Sequence, residues 1–79
     1  MKVRVLLFAA LRERTGKGEL FLDVPSGTTV GGLRKEVERD YPSISSVPVA
    51  LAVNRQHANS EALLKDGDEV ALLPPVSGG

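Results

Sequence analysis

Side chains that could do chemistry are few in this chain of 79 residues. It has no cysteine, which excludes disulfides, thiolate metal sites and a cysteine nucleophile. The single histidine, His57, lies in a polar stretch without a second histidine, a pattern typical of a surface residue rather than a ligand or base. None of the serines lies in a nucleophile-elbow pattern, and turn or capping roles explain most of them.

Two short motifs resemble ligand-binding loops only superficially. The acidic run at residues 66–69 is too short for a helix-loop-helix calcium site, and its Asp-Gly-Asp order indicates a turn. The glycine-rich run at residues 27–32 lacks the Gly-Lys-Ser/Thr ending of a phosphate loop, so helix capping explains it better. We therefore predict no acid–base pair, no metal site and no side-chain nucleophile.

The end of the chain offers the remaining reactive group. The C-terminal tail carries no charged side chain and has the sequence Pro74-Pro75-Val76-Ser77-Gly78-Gly79. Prolines stiffen its base and glycines keep its tip narrow, and an extended tail reaches roughly 20 Å at about 3.3 Å per residue. Such a tail suits a terminus whose carboxylate enters a narrow pocket of another protein, although terminal residues are also commonly just frayed.

The carboxylate of Gly79 is unreactive as it stands. An ATP-dependent partner could convert it into an acyl-adenylate, which a sulfur or nitrogen nucleophile then displaces. In that chemistry the protein is the substrate and the partner supplies the catalytic site.

Length and charge limit the other possibilities. A chain of 79 residues makes one small domain, and ten basic against ten acidic side chains give no net charge. This balance gives no reason to expect nucleic acid or an anionic membrane as a partner. No apolar run is as long as a membrane span and the N-terminus lacks a signal-peptide core, so we expect a cytoplasmic protein.

The hydropathy pattern predicts five strands and one main helix. Alternation and apolar runs predict strands at residues 2–8, 19–24, 49–53, within 54–59, and 69–73. The spacing of Val30, Leu33 and Val37 predicts a helix over residues 30–41, with Thr29 as its N-cap. Shorter helical segments are predicted at residues 9–15 and 61–65.

This order of elements favours one mixed sheet packed on one helix, in the α+β class. The ubiquitin-like β-grasp is the common small fold with this order, and its first and last strands lie parallel at the centre. We therefore predict a β-grasp domain over residues 1–73 and an extended, flexible tail over residues 74–79.

Several motifs are similar to those of a known family. They are Phe8-Ala9-Ala10-Leu11-Arg12-Glu13, Thr29-Val30 with Leu33, Ala52-Val53-Asn54, and the continuous block from Leu64 to Gly79. A double glycine alone is a weak signal, but here it follows Asp-Gly-Asp-Glu-Val and Pro-Pro-Val. With these motifs the whole chain resembles the small, sulfur-carrying subunits of molybdopterin synthases, which are β-grasp proteins.

The resemblance implies a specific chemistry. Gly79 would be adenylated with ATP by an adenylyltransferase related to ubiquitin-activating enzymes, and sulfur from a sulfurtransferase would replace AMP to leave a thiocarboxylate. The tail would thread into the large catalytic subunit and donate sulfur to cyclic pyranopterin monophosphate, forming the molybdopterin dithiolene. Family members form heterotetramers of two small and two large subunits. No permanently bound cofactor is implied.

The resemblance also suggests which residues touch the partners. Phe8 and Leu73 would lie on neighbouring central strands and be exposed beside the tail, as a docking patch that acts together with Pro74, Pro75, Val76, Ser77 and Gly78. The alternative for Phe8 and Leu73 is peripheral core.

Three other functions remain open at the level of sequence. A related carrier could supply sulfur for thiazole and thiamine or for sulfur-containing amino acids, and such carriers share the fold and the double glycine. A ubiquitin-like modifier would instead form isopeptide bonds with lysines. A passive interaction module would have an incidental glycine end.

Overall fold

The structure is a computed structural model, and it describes residues 1–75. Along the chain its elements are β1 (Lys2–Leu7), α1 (Ala10–Thr15), β2 (Glu19–Asp23), α2 (Val30–Asp40), a 3₁₀ turn (Pro42–Ile44), β3 (Ala50–Val53), β4 (Gln56–His57) and β5 (Glu69–Leu73). Val76, Ser77, Gly78 and Gly79 lie outside the described residues, so the predictions made for them, including the flexible tail, stay predictions.

The strands form one mixed sheet in the order β2-β1-β5-β3-β4. β1 and β5 are parallel, whereas β1–β2, β3–β5 and β3–β4 are antiparallel. This arrangement confirms the predicted ubiquitin-like β-grasp, including the pairing of the first two strands and the parallel pairing of the first and last.

The core lies between one face of this sheet and α2. Alternate residues of β1 are buried, as are the three apolar residues of α2 that the sequence places on one helical stripe. The principal core side chains are Val3, Val5, Leu7, Leu11, Val30, Leu33, Val37, Val70 and Leu72. Because the alternation in β1 and β5 commits one set of residues to this core, the other set must face away from α2.

α2 begins as predicted. The hydroxyl of Thr29 accepts a hydrogen bond from the backbone N–H of Gly32 at 3.1 Å, which satisfies a donor that the first helical turn leaves without a partner. The helix ends at Asp40, because the residue before Pro42 is disfavoured in helical conformation.

The prediction of a helical turn at residues 61–65 is wrong. A turn spans residues 59–62, and the residues that follow pair with the start of α2: the N–H of Val30 donates to the carbonyl of Ala62 at 2.9 Å, and that of Leu64 donates to the carbonyl of Thr28 at 3.0 Å. The pairing buries Leu64 in the core. Tertiary hydrogen bonds and burial thus outweigh the helix propensity of these residues.

Candidate functional site

The parallel pairing of β1 and β5 determines where the tail starts. In this pairing Leu7 lies opposite Leu72, so the residues that follow, Phe8 and Leu73, emerge side by side at one end of the sheet. Pro74 continues from there and lines a small notch together with Phe8, Ala9 and Pro48. The base of the tail is therefore held next to the end of β1.

The face of the sheet opposite α2 is apolar at this end. Leu6, Phe8, Ala71 and Leu73 all line a shallow groove of about 350 Å³ there. The Phe8 side chain is 41% exposed, and Leu6 and Leu73 are half-buried. An exposed apolar surface of this kind marks an interaction site more often than it marks ordinary surface.

A strained turn fixes the backbone of Phe8. The N–H of Leu11 donates to the carbonyl of Phe8 at 3.1 Å, and Ala9 between them has φ 51° and ψ −125°. These angles belong to the first central position of a type II′ turn, which usually requires glycine. The turn redirects the chain from β1 into α1, and it places a strained residue beside the base of the tail. Strained backbone of this kind concentrates at functional sites.

A tight hairpin forms the other flank of the groove. Asn54 and Arg55 both have positive φ, 49° and 70°, which fits the type I′ turn that joins β3 to β4. The Asn54 side chain fixes this turn, donating to Asp68 Oδ1 at 3.0 Å and accepting from the N–H of Glu69 at 3.0 Å. Arg55 and His57 consequently line the same groove as Phe8 and Leu73.

The structure thus brings some of the predicted site residues close together. Phe8 and Leu73 share one groove, and Pro74 lies next to Phe8, whereas Pro75 is exposed beyond it. The predicted contacts of Val76, Ser77, Gly78 and Gly79 lie outside the described residues. Whether a partner docks on Phe8 and Leu73 is not settled by the exposure of these side chains, so docking stays a prediction.

Sequence reasoning missed six residues of the groove, namely Leu6, Ala52, Arg55, His57, Glu69 and Ala71. Leu6 and Ala71 could have been found, because strand alternation places them on the same face as Phe8 and Leu73. Arg55 and His57 could not, because their position depends on the register of β4 against β3, where His57 lies opposite Ala52. His57 is exposed, as its polar sequence surroundings indicate.

A larger groove of about 520 Å³ lies at the other end of the same face. Its walls include Lys2, Arg4, Phe21, Asp23 and Gly67, and Phe21 is 73% exposed. Because Lys2 begins β1 and Gly67 precedes β5, this groove is remote from Pro74. The larger volume of this groove is therefore no reason to assign it a role at the tail.

Within residues 1–75 the side chains offer little chemistry of their own. No three His, Asp or Glu side chains of this part come together as a possible metal site. Nor is any helix of the described chain both long and apolar enough to cross a membrane.

Comparison with known proteins gives consistent matches over the whole chain. A family model described as the ThiS family matches residues 5–79. The chain is 40% identical over 81 residues to the molybdopterin synthase sulfur carrier subunit of Arabidopsis thaliana. This alignment covers 100% of this chain and 84% of that protein.

Solved structures agree with the fold. The crystal structure of small archaeal modifier protein 1 from H. volcanii matches with a TM-score of 0.88 at 27% identity, covering 95% of this chain and 98% of that one. A chain in the complex of subunits 1 and 2 of molybdopterin-converting factor from Helicobacter pylori matches with a TM-score of 0.69 at 29% identity, covering 100% of both chains.

Proposed function

The chain belongs to the ThiS family, and on that premise we propose that it is a sulfur carrier protein, the small subunit of a molybdopterin synthase. One observation carries the proposal: the similarity to a molybdopterin synthase sulfur carrier subunit covers the entire chain, including its Gly78-Gly79 end. The exposed apolar groove beside Pro74 supports it, because a carrier must dock on the enzymes that use its tail.

The chemistry takes place at Gly79. A carboxylate oxygen of Gly79 attacks the α-phosphorus of ATP in the site of an adenylyltransferase related to ubiquitin-activating enzymes, and pyrophosphate leaves. A sulfur nucleophile supplied by a sulfurtransferase then attacks the acyl carbon, and AMP leaves. The donor sulfur is the outer sulfur of a cysteine persulfide, so this step gives an acyl disulfide. A thiol then attacks the donor's cysteine sulfur, forms a disulfide with it and releases the thiocarboxylate.

The carrier then delivers this sulfur inside the synthase. The tail, from Pro74 to Gly79, enters the large catalytic subunit and donates its one sulfur to cyclic pyranopterin monophosphate. Two charged carriers are therefore consumed for the two sulfurs of the molybdopterin dithiolene, and water restores the Gly79 carboxylate of each. Phe8 and Leu73 dock on the large subunit beside the entry point. Two small and two large subunits form the heterotetramer, and the cytoplasm supplies the ATP that charging consumes.

A second candidate function is protein modification. It is favoured by the likeness to small archaeal modifier protein 1 from H. volcanii. In that case an amine, the ε-amino group of a lysine, displaces AMP from the same adenylate, and an isopeptide bond forms instead of a thiocarboxylate. The two functions share the first step and differ in the nucleophile that completes it.

Removal of the last residue tests the leading proposal. We expect the variant lacking Gly79 to fold normally but to support no molybdopterin formation, because the remaining terminus is one residue, about 3.3 Å, too short for the catalytic site. Molybdopterin is measured in a reconstituted reaction with the large subunit, the activating enzyme and a sulfur source. The matched control is Lys35→Ala, an exposed change on α2. Equal product from the truncated and the full-length carrier would contradict the proposal.

A further inference from the structure

The guanidinium of Arg55 and the imidazole of His57 flank the groove beside the base of the tail. The side chains of Arg55 and His57 are exposed and, within residues 1–75, form no ion pair and no side-chain hydrogen bond. Arg55 also has a positive φ of 70°, a conformation that is unfavourable for a residue with a side chain. Glycine would fit this turn better, so stability of the turn does not explain the arginine.

The acidic groups nearest to this flank are already engaged. Glu69 lines the groove, but its carboxylate lies 3.7 Å from the guanidinium of Arg4. Asp68 accepts hydrogen bonds from Asn54 at 3.0 Å and from the N–H of Lys65 at 2.8 Å. The groove therefore combines an apolar floor with the guanidinium of Arg55, which forms no ion pair among the described residues.

This combination defines what the groove can bind. An apolar side chain of a partner would displace water from Leu6, Phe8 and Leu73, while a carboxylate from the same segment would reach Arg55. Guanidinium groups bind carboxylates through two parallel hydrogen bonds, which adds orientation as well as affinity. A single arginine with one imidazole is too little charge for a phosphate backbone, whose binding requires many neutralising contacts.

We propose that Arg55, assisted by His57, selects the partner of this carrier by pairing with an acidic residue on an apolar segment of the synthase large subunit. The inference rests on the proposed function, because it takes the receiver of the tail as the occupant of the groove. Continuity supports this choice: the groove contains Leu73, the last residue before the tail, so a protein that encloses the tail must pass over it.

The test is the affinity between the full-length carrier and the large subunit encoded by the same genome, measured by calorimetry at low and high salt. Arg55→Glu should weaken binding about tenfold or more at low salt, because it turns an attraction into a like-charge contact. Arg55→Lys, which keeps the charge in the same strained turn but cannot form the two parallel hydrogen bonds, should weaken binding less than Arg55→Glu does. His57→Glu should weaken binding by a smaller factor.

Matched controls separate this effect from general electrostatics. Lys35→Glu and Arg39→Glu make the same change of charge at exposed positions of α2, which covers the opposite face of the sheet. Each should alter the affinity by less than about twofold. Thermal unfolding of each variant verifies that the fold is intact. High salt should reduce the difference between Arg55→Glu and the wild type, because it screens exposed charges.

The outcomes distinguish this inference from the function on which it rests. If the wild type binds, Phe8→Ala weakens binding and Arg55→Glu does not, the groove is a docking site and the charge selection is wrong. If Arg55→Lys and Arg55→Glu weaken binding equally, the residue acts through the turn and the inference is again wrong. If the wild type does not bind the large subunit, the proposed function fails, and this inference fails with it.

Discussion

At the scale of single residues, position on the sheet gives two similar side chains different roles. Phe8 and Phe21 both lie on the face opposite α2 and are both exposed, at 41% and 73%. Phe8 lies beside Pro74, whereas Phe21 lines the groove at the other end of the sheet. Exposure alone would rank Phe21 as the better docking residue, but only Phe8 is within reach of a protein that encloses the tail.

Alanine substitutions of this pair test the docking surface. Phe8→Ala should weaken binding of the large subunit about tenfold or more, since aromatic side chains at the centre of an interface contribute most of its affinity. Phe21→Ala removes the same side chain from the same face and should change the affinity by less than about twofold. Both variants should keep the stability of the wild type approximately, because neither ring is buried in the core. Equal losses of affinity would contradict a docking site confined to the end of the sheet that lies beside Pro74.

The residue scale is also where the sequence was least informative. The polar residues around His57 predict an exposed side chain, and the side chain is exposed. Nothing in these neighbouring residues indicates that it lines a groove. Its place depends on β3 lying between β4 and β5, with Ala52 opposite both His57 and Ala71. Such a relationship arises from strand order, which local patterns do not contain.

At the scale of elements, the pairing of the start of α2 with residues 60–64 explains both a success and a failure of prediction. Thr29 was identified as the N-cap because a hydroxyl before an apolar stripe is a local signal. The run Glu61-Ala62-Leu63-Leu64-Lys65 gives an equally local signal for helix, but its backbone pairs with Thr28 and Val30 instead. Local chemistry predicts an element reliably when no distant partner competes for its hydrogen bonds.

Two adjacent glycines allow this pairing to be tested. A Cβ at Gly31 would lie 2.9 Å from the Cβ of Ser60 and 3.0 Å from its carbonyl oxygen, the same oxygen that accepts the Gly31 N–H at 2.8 Å. Gly31→Ala should therefore lower the free energy of unfolding by about 1–3 kcal/mol, although alanine normally favours a helix. Urea denaturation measures this change.

Gly32→Ala is the matched control in the same turn. Its Cβ would meet only side-chain atoms, the closest being Thr29 Oγ1 at 3.3 Å, and alanine gains about 1 kcal/mol of helix propensity. We expect this variant to be clearly more stable than Gly31→Ala. The reverse order of stability would mean that residues 60–64 do not pack against α2 as described.

At the scale of the whole molecule, the sequence contained the fold but only part of the site. Alternation and spacing predict the five strands and the main helix, the order of these elements along the chain matches the β-grasp, and the resemblance of residues 64–79 to sulfur carriers points to the tail. What the sequence could not supply is the surface around the tail, because Leu6, Phe8, Arg55, His57 and Leu73 come from four separate segments. Only the folded sheet brings them to one groove.

In the whole molecule, the folded body and the C-terminus have different roles. The body buries its apolar residues against α2, presents an apolar groove beside the base of the tail and holds that base, while the proposed function makes the carboxylate of Gly79 the reactive group. The absence of cysteine from the entire sequence makes this division directly measurable, because a thiol-alkylating reagent finds no side-chain thiol to modify.

The most direct test is therefore mass spectrometry of the carrier after incubation with its activating enzyme, ATP and a sulfur donor, followed by alkylation. We expect one alkyl group per chain, located on the C-terminal peptide that contains Gly79, and none when ATP is omitted or Gly79 is deleted. An unalkylated chain of unchanged mass, or a chain joined to a lysine of another protein as its main product, would contradict a sulfur carrier.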